Sequence, residues 1–172
     1  MSGGPGLIHL YCGEGKGKTT AAMGLALRAL GAGRRVVIVQ FLKGRRTGEI
    51  PLLESLGAQV FRGKAGTKFS FQMDGKERAE TRSLQTKHLR AALELDAELL
   101  VLDEACGAWE TDLVDRDLLR KAVLEKPAGQ ELVLTGREPA GWMREAADYI
   151  TDMRCCRHPY QRGVPAREGV EF

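Results

Sequence analysis

The sequence predicts an α/β protein whose mostly parallel sheet carries helices on both faces. Short aliphatic runs alternate with longer amphipathic stretches, the pattern in which helices connect neighbouring parallel strands. Glycine-rich, acidic and basic motifs follow directly after the aliphatic runs, and ligands bind at the carboxyl ends of strands in such sheets. The 172 residues fit one domain, 1–172, with an α/β core over residues 7–153 and a C-terminal tail over 154–172.

Each predicted strand is an aliphatic or β-branched run bounded by glycine, proline or charged residues. The predicted strands are Leu7–Cys12, Arg35–Phe41, a weaker Ala58–Phe61, Leu99–Asp103, Glu131–Thr135 and Tyr149–Met153. The predicted helices are Thr19–Leu30, Glu49–Leu56, Lys76–Leu95, Asp115–Glu125 and Pro139–Ala147. Asp74 can cap the third helix, whose apolar stripe would hold Leu84, His88, Leu89 and Ala92. The apolar residues of 62–73 follow neither a helical nor a strand periodicity, so this segment is predicted to form a loop.

Composition excludes several classes of protein. A hydrophobic fraction of 43% and a charged fraction of 28% are typical of a folded globular chain, and a net charge of +3 does not favour a nucleic-acid partner. The longest aliphatic runs fall far short of the roughly 20 residues that cross a bilayer, and the first residues do not resemble a signal peptide. We therefore expect a cytoplasmic protein without a membrane partner. Its four cysteines contain no C-x-x-C pair and are expected to be free thiols.

A glycine-rich loop lies between the first predicted strand and the first predicted helix. Its glycines allow backbone N–H groups to approach a polyphosphate closely, Lys18 would reach the terminal phosphates, and the Thr19 hydroxyl would bind Mg²⁺. The strict phosphate-loop pattern has glycine where Cys12 stands, whereas the first glycine here comes one position later. The residues predicted to bind phosphate are Gly13, Glu14, Gly15, Lys16, Gly17, Lys18, Thr19 and Thr20.

Two further strand ends carry charged residues. Asp103 and Glu104 close an aliphatic strand, and carboxylates beside a phosphate loop hold Mg²⁺ or its waters; Glu104 is alternatively a general base. Arg137 follows another strand, where it would clamp a phosphate or be an ordinary surface arginine.

Two other features have an ordinary and a functional interpretation. Phe69 and Phe71 would either pack the 62–73 loop onto the core or form a flat platform for a large planar ligand. A basic cluster is either a solvated loop or a site for an anion. Its members are Arg34, Arg35, Lys43, Arg45 and Arg46.

The motifs, in this order and spacing, resemble the ATP:corrinoid adenosyltransferases of the phosphate-loop type. The segments that carry the resemblance are Gly13–Ala22, Val39–Gly44, Val101–Glu104, Thr135–Arg137 and Gly169–Phe172. The resemblance runs from about Leu7 to Phe172, and the displaced first glycine is the family's own form. It implies a RecA-like parallel sheet, a homodimer, and transfer of the 5′-deoxyadenosyl group of ATP to the Co(I) of a corrinoid. The implied leaving group is triphosphate, and the implied setting of the reaction is adenosylcobalamin biosynthesis or salvage.

The same resemblance implies roles for individual residues. The glycine-rich loop would hold the triphosphate, and Thr19 and Glu104 would bind Mg²⁺. Lys18 and Arg137 would stabilise the departing triphosphate. Phe69 and Phe71 match an aromatic pair that lies beside the corrinoid and helps remove its lower axial ligand. A reductase would supply Co(I), which is nucleophilic enough to need no protein base.

The residues by themselves leave two other functions open. A phosphate-loop nucleoside kinase or ATPase would use the same loop, with Glu104 as base, and would cleave the β–γ bond. A non-catalytic adaptor would bind ATP to order a loop for a partner. The sequence also leaves open whether the acceptor is cobalamin or cobyrinic acid diamide.

Overall fold

A computed structural model describes residues 4–64 and 68–171 of the chain. Six strands form one sheet in the order β3-β2-β4-β5-β1-β6, and every neighbouring pair is parallel. The strands are β1 Ile8–Cys12, β2 Val36–Gln40, β3 Gln59–Arg62, β4 Leu99–Asp103, β5 Glu131–Thr135 and β6 Tyr149–Asp152. The predicted α/β class and all six predicted strands are confirmed, and no strand end differs from its prediction by more than one residue.

Helices connect the strands. They are α1 Lys18–Gly31, α2 Glu49–Ser55, α3 Gly75–Leu93, α4 Ala105–Glu110, α5 Arg116–Leu124 and α6 Gly141–Ala146. The third helix is capped as predicted, because the Asp74 carboxylate accepts a hydrogen bond from the Glu77 N–H and Glu77 reciprocates at the Asp74 N–H. Among the described residues, no helix is long and apolar enough to cross a membrane.

The helices divide between the two faces of the sheet, as predicted. On one face, α1 and α2 pack Met23, Ala26, Ile50 and Leu53 against alternate residues of the strands. On the other face, α3, α4, α5 and α6 pack a larger apolar cluster that includes Leu89, Leu119 and Met143. Because β2 and β4 are buried on both faces, they consist of uninterrupted apolar residues except for the final Gln40 and Asp103.

Three local expectations need correction. Helix α4 was not predicted, since it is short and begins after Glu104, a residue without the usual capping chemistry. Helix α6 begins at Gly141 rather than Pro139, because Ala140 is still extended. The fully buried stripe of α3 is polar in part, and Leu84 and His88 lie only at its margin. That stripe consists of Thr81, Gln85, Leu89 and Ala92.

The strand order determines which side chains meet at the carboxyl edge of the sheet. Strand β5 lies between β1, which precedes the glycine-rich loop, and β4, which ends at Asp103. The segment after β2 and the segment after β4 are direct neighbours, because Gln40 and Asp103 are paired in register. Charged residues from four separate segments therefore share one edge.

Candidate active site

The glycine-rich loop, Gly13–Thr20, turns from β1 into α1 and is fastened to two neighbouring segments. The Gly13 N–H donates to the Arg137 carbonyl at 3.0 Å, and the Gly15 N–H donates to the Met153 carbonyl at 2.6 Å. Gly17 has φ 121° at the N-cap of α1, where no side chain satisfies the helix terminus. The terminus of this 14-residue helix therefore faces the inside of the loop with free capacity for an anion.

Close packing explains why this loop needs glycine at two positions. A Cβ at Gly13 would lie 2.2 Å from Asp152 Oδ1, and one at Gly15 would lie 2.6 Å from the Met153 carbonyl oxygen. Gly13 also has φ 98°, in the region that favours glycine. The chain after β6 therefore presses against the loop and holds its shape.

The predicted catalytic cations lie at the mouth of this loop. Lys18 Nζ donates to the carbonyls of Gly13 at 2.6 Å and Gly15 at 2.8 Å, so the ammonium already lies inside the loop. Arg137 Nη1 lies 3.2 Å from Glu14 Oε2, in an exposed ion pair that joins the end of β5 to the loop. The Glu14 side chain thus orients Arg137 across the loop.

Asp103 is the buried centre of the site. Its side chain is 0% exposed, and its Oδ1 accepts from the Thr19 hydroxyl at 3.0 Å and the Thr135 hydroxyl at 2.7 Å. Its Oδ2 accepts from Gln40 Nε2 at 3.1 Å and from Lys43 Nζ at 2.5 Å. The structure therefore brings Thr19 and Asp103 into direct contact through a hydrogen bond.

Glu104 has a left-handed backbone conformation and a carboxyl group with a raised pKa. Its φ of 61° is left-handed, a conformation that carries strain in a residue other than glycine, and its N–H donates to the Thr135 hydroxyl at 2.9 Å. Burial raises the pKa of its carboxyl group above the ordinary value, and the adjacent Asp103 raises it further, against the opposing effects of Lys43, Lys18 and Arg137.

Lys43 is a site residue to which the sequence assigned no individual role, although it belongs to the basic cluster and to the Val39–Gly44 segment. Its Nζ donates to the Thr19 hydroxyl at 2.7 Å as well as to Asp103. The cluster itself does not form one site, because Arg35 precedes β2 and pairs with Asp96 and Glu98 at the opposite end of that strand. The sequence signal that could have identified Lys43 as a site residue is its position shortly after β2, the strand that pairs with β4.

The aromatic pair lies at the same edge and is exposed. Phe69 and Phe71 are 57% and 81% exposed, and their rings stack with centroids 5.6 Å apart and planes 2° from parallel. Packing onto the core is therefore the wrong interpretation of these rings. Lys64 connects the pair to the site, since its Nζ lies 5.5 Å from the Phe69 ring centroid and its side chain would contact a Cβ at Gly44.

Two cavities adjoin the site and differ in chemistry. A polar cavity of about 400 Å³ is bounded by the glycine-rich loop, Glu104 and Arg137. A larger apolar groove of about 870 Å³ runs between α1 and α2, beside Thr19 and Thr20. The C-terminal tail borders both, and the Val170 carbonyl accepts a hydrogen bond from Lys16 Nζ at 3.3 Å. The sequence motif at Gly169–Phe172 did not predict that contact.

The donor atoms around Asp103 suit a small hard cation. They are the hydroxyl oxygen of Thr19 and the carboxylate oxygens of Asp103, and the Lys43 ammonium already lies between these two residues as a positive charge. Glu104 adds a carboxyl group at the adjacent polar cavity. Within residues 4–64 and 68–171, no cluster of three or more His, Cys, Asp or Glu residues could hold a metal. Such a site fits Mg²⁺ that arrives with phosphates, because Mg²⁺ uses one or two carboxylates and keeps its other ligands from substrate and water.

Comparison with known proteins gives a consistent result. The family model of ATP:corrinoid adenosyltransferase BtuR/CobO/CobP matches residues 5–172. The chain is 34% identical to a corrinoid adenosyltransferase of Pseudomonas aeruginosa, over 97% of this chain and 84% of that protein. It is 32% identical to a corrinoid adenosyltransferase of Escherichia coli K12 and 31% identical to corrinoid adenosyltransferase CobA of Salmonella typhimurium, each over 97% of this chain and 86% of the relative.

Proposed function

This chain belongs to the ATP:corrinoid adenosyltransferase family, and we propose that its carboxyl edge binds Mg²⁺-ATP and directs the adenosyl group to a corrinoid held by Phe69 and Phe71. The enzyme is a transferase that moves the 5′-deoxyadenosyl group of ATP to a corrinoid. The observation that carries the proposal is the contact between Thr19 of the glycine-rich loop and the buried Asp103. The kinase, ATPase and adaptor alternatives are not favoured.

The glycine-rich loop would bind the triphosphate of ATP. Lys18 would exchange the carbonyls of Gly13 and Gly15 for phosphate oxygens, and the free N-terminus of α1 supplies further donors. Arg137 would leave Glu14 to contact the triphosphate bidentately. These groups place positive charge where negative charge accumulates as the triphosphate departs, which is how an enzyme selects the transition state.

Thr19, Asp103 and Glu104 would hold Mg²⁺, which neutralises charge on the triphosphate when bound. The Thr135 hydroxyl would keep both acidic residues in place, because it donates to Asp103 and accepts from the Glu104 N–H. Glu104 would bind as a carboxylate, so the surrounding cations that lower its pKa favour the binding form.

The stacked rings of Phe69 and Phe71 would contact the corrinoid. Two exposed parallel rings offer a flat apolar surface that suits a planar macrocycle. Reduced cobalt is itself a strong nucleophile, so the remaining task of the protein is to align C5′ of ATP with the metal and with the leaving oxygen. A protein general base is then unnecessary.

The setting of the reaction is also part of the proposal. Since Co(I) must be generated by a reductant, we expect a reductase to act with this enzyme in the cytoplasm, where ATP is available. The residues 1–172 would act as one domain, in a homodimer. Cobalamin and cobyrinic acid diamide are both acceptors to be tested.

The identity of the phosphate product tests the proposed function. Anaerobic incubation with Mg²⁺-ATP and chemically reduced cob(I)alamin should yield inorganic triphosphate and a light-sensitive alkylcobalamin spectrum. Lys18→Ala should lower kcat/KM by at least about 100-fold with an unchanged fold, whereas Lys126→Ala, a lysine that binds carbonyls away from the site, should keep the activity. Production of ADP and phosphate without corrinoid, or full activity of Lys18→Ala, contradicts the proposal.

A further inference from the structure

Through its ammonium, Lys43 contacts two of the side chains that would bind a metal ion in the proposed site. Its ammonium lies 2.5 Å from Asp103 Oδ2 and 2.7 Å from the Thr19 hydroxyl oxygen, two of the atoms proposed above as cation ligands. The remaining acceptor capacity of Asp103 is taken by neutral donors from Gln40, Thr19 and Thr135. Within the described part of the chain, Lys43 is the one cation ion-paired with this buried carboxylate.

The surroundings of Lys43 allow it to move. Asp103 is 0% exposed, whereas the Lys43 side chain is 25% exposed and so reaches the site from the solvent side. Leu42, immediately before it, has a left-handed φ of 57°. The long flexible stem of lysine can withdraw the ammonium without a change in the backbone.

We propose that Lys43 is an exchangeable internal cation, which neutralises Asp103 before substrate binds and gives way when the metal arrives with the triphosphate. This inference rests on the proposed Mg²⁺-ATP site. An ammonium and a divalent cation cannot both contact the same two oxygens, because their charges repel at that distance. The incoming triphosphate offers the displaced ammonium a new partner, so Lys43 becomes an additional contact for the leaving group.

The exchange makes metal binding depend on nucleotide. Without nucleotide, a metal ion would have to displace the Lys43 ammonium into water, where no triphosphate is available to pair with it. With nucleotide, Asp103 keeps a cation and Lys43 keeps an anion, so no charge is left buried and unpaired. Lys43 is therefore a positioning residue that couples the two binding events and orders Thr19 in their absence.

Direct metal binding without nucleotide tests this role. The loss of the free Mn²⁺ signal in electron paramagnetic resonance measures the affinity of the protein for Mn²⁺ alone. Lys43→Met should bind Mn²⁺ about tenfold or more tightly than the unaltered protein, since the competing charge is gone. Lys43→Arg should show no gain, and adding Asp103→Asn to Lys43→Met should abolish it. Lys126→Met, a partly buried lysine elsewhere, serves as the matched control.

A second measurement uses the unaltered protein. In ¹⁵N-labelled enzyme, the ammonium resonance of Lys43, identified by its absence in Lys43→Arg, should shift when Mg²⁺-ATP is added without corrinoid. Equal Mn²⁺ affinity of Lys43→Met and the unaltered protein, or a Lys43 resonance that stays in place while Mg²⁺-ATP binds, overturns the exchange. Failure of the unaltered protein to bind Mg²⁺-ATP at all instead overturns the proposed function.

Discussion

At the scale of single residues, the site is built around two consecutive acidic residues with different surroundings. Asp103 is buried but receives four hydrogen bonds, one of them from an ammonium. Glu104 projects from a left-handed turn toward the polar cavity, and burial raises the pKa of its carboxyl group. An ionised Glu104 therefore costs stability in the absence of ligand, as is common where strain and charge serve binding.

We predict that Glu104→Gln stabilises the ligand-free protein at pH 7, by on the order of 1 kcal/mol. The folded protein holds the Glu104 proton more tightly than the unfolded chain, so stability falls as pH rises above the ordinary carboxyl value. The gain should therefore be largest at neutral pH and vanish in acid. Urea unfolding across pH 4–8 measures it, with the exposed Glu110→Gln as control. A gain independent of pH would contradict the burial of a charge.

At the scale of elements, α3 connects the aromatic loop to the core. The helix begins at Gly75, after the turn that carries Phe71, and its first residues are ordered by the reciprocal bonds between Asp74 and Glu77. The Asp74 N–H and the Lys68 ammonium both bind the Glu77 carboxylate and hold its pKa below the usual value. The cap therefore links residues on both sides of the aromatic pair.

We predict that Asp74→Ala lowers the free energy of unfolding by about 1 kcal/mol, the usual cost of losing a side-chain cap. The variant should also make the Phe69–Gln72 segment exchange its amide hydrogens faster, because the cap orders the start of α3. Denaturant unfolding and hydrogen exchange measure the two effects. Asp96→Ala, which removes an exposed partner of Arg35, should change neither noticeably. Unchanged exchange in Asp74→Ala would show that the cap does not order the loop.

At the scale of the whole molecule, the parallel sheet gathers two binding surfaces at one edge. The glycine-rich loop and the Phe69–Phe71 pair are far apart in sequence. In the structure, Lys43, Gly44 and Lys64 lie between them. Nucleotide binding and corrinoid binding should therefore be separable by substitution, even though the two substrates react with each other.

We predict that Phe69→Ala/Phe71→Ala lowers kcat/KM for cob(I)alamin by at least about tenfold, because the substrate loses its apolar contact surface. The affinity for Mg²⁺-ATP should stay unchanged in equilibrium binding. Leu124→Ala, which removes another exposed apolar side chain, at the C-terminal end of α5, should leave both quantities unchanged. A parallel loss of ATP affinity would contradict separate surfaces.

The sequence was sufficient to predict the class of fold, the six strands, the glycine-rich loop and the order of the site motifs. These follow from local patterns: aliphatic runs predict buried strands, and chain direction in a parallel sheet sends every motif to one edge. It also determined the family, since the motifs carry the resemblance confirmed by comparison. Each of these properties depends on residues close together in the chain.

The sequence did not predict which side chains meet, because that depends on how the strands are arranged in three dimensions. The pairing of β2 with β4 brings Lys43 to Asp103, and β5 between β4 and β1 brings Thr135 to both acidic residues. The same arrangement removes Arg35 from the site, since it lies at the opposite end of its strand. Contacts across some 60 residues depend on strand order and on the packing of loops, which local periodicity does not encode.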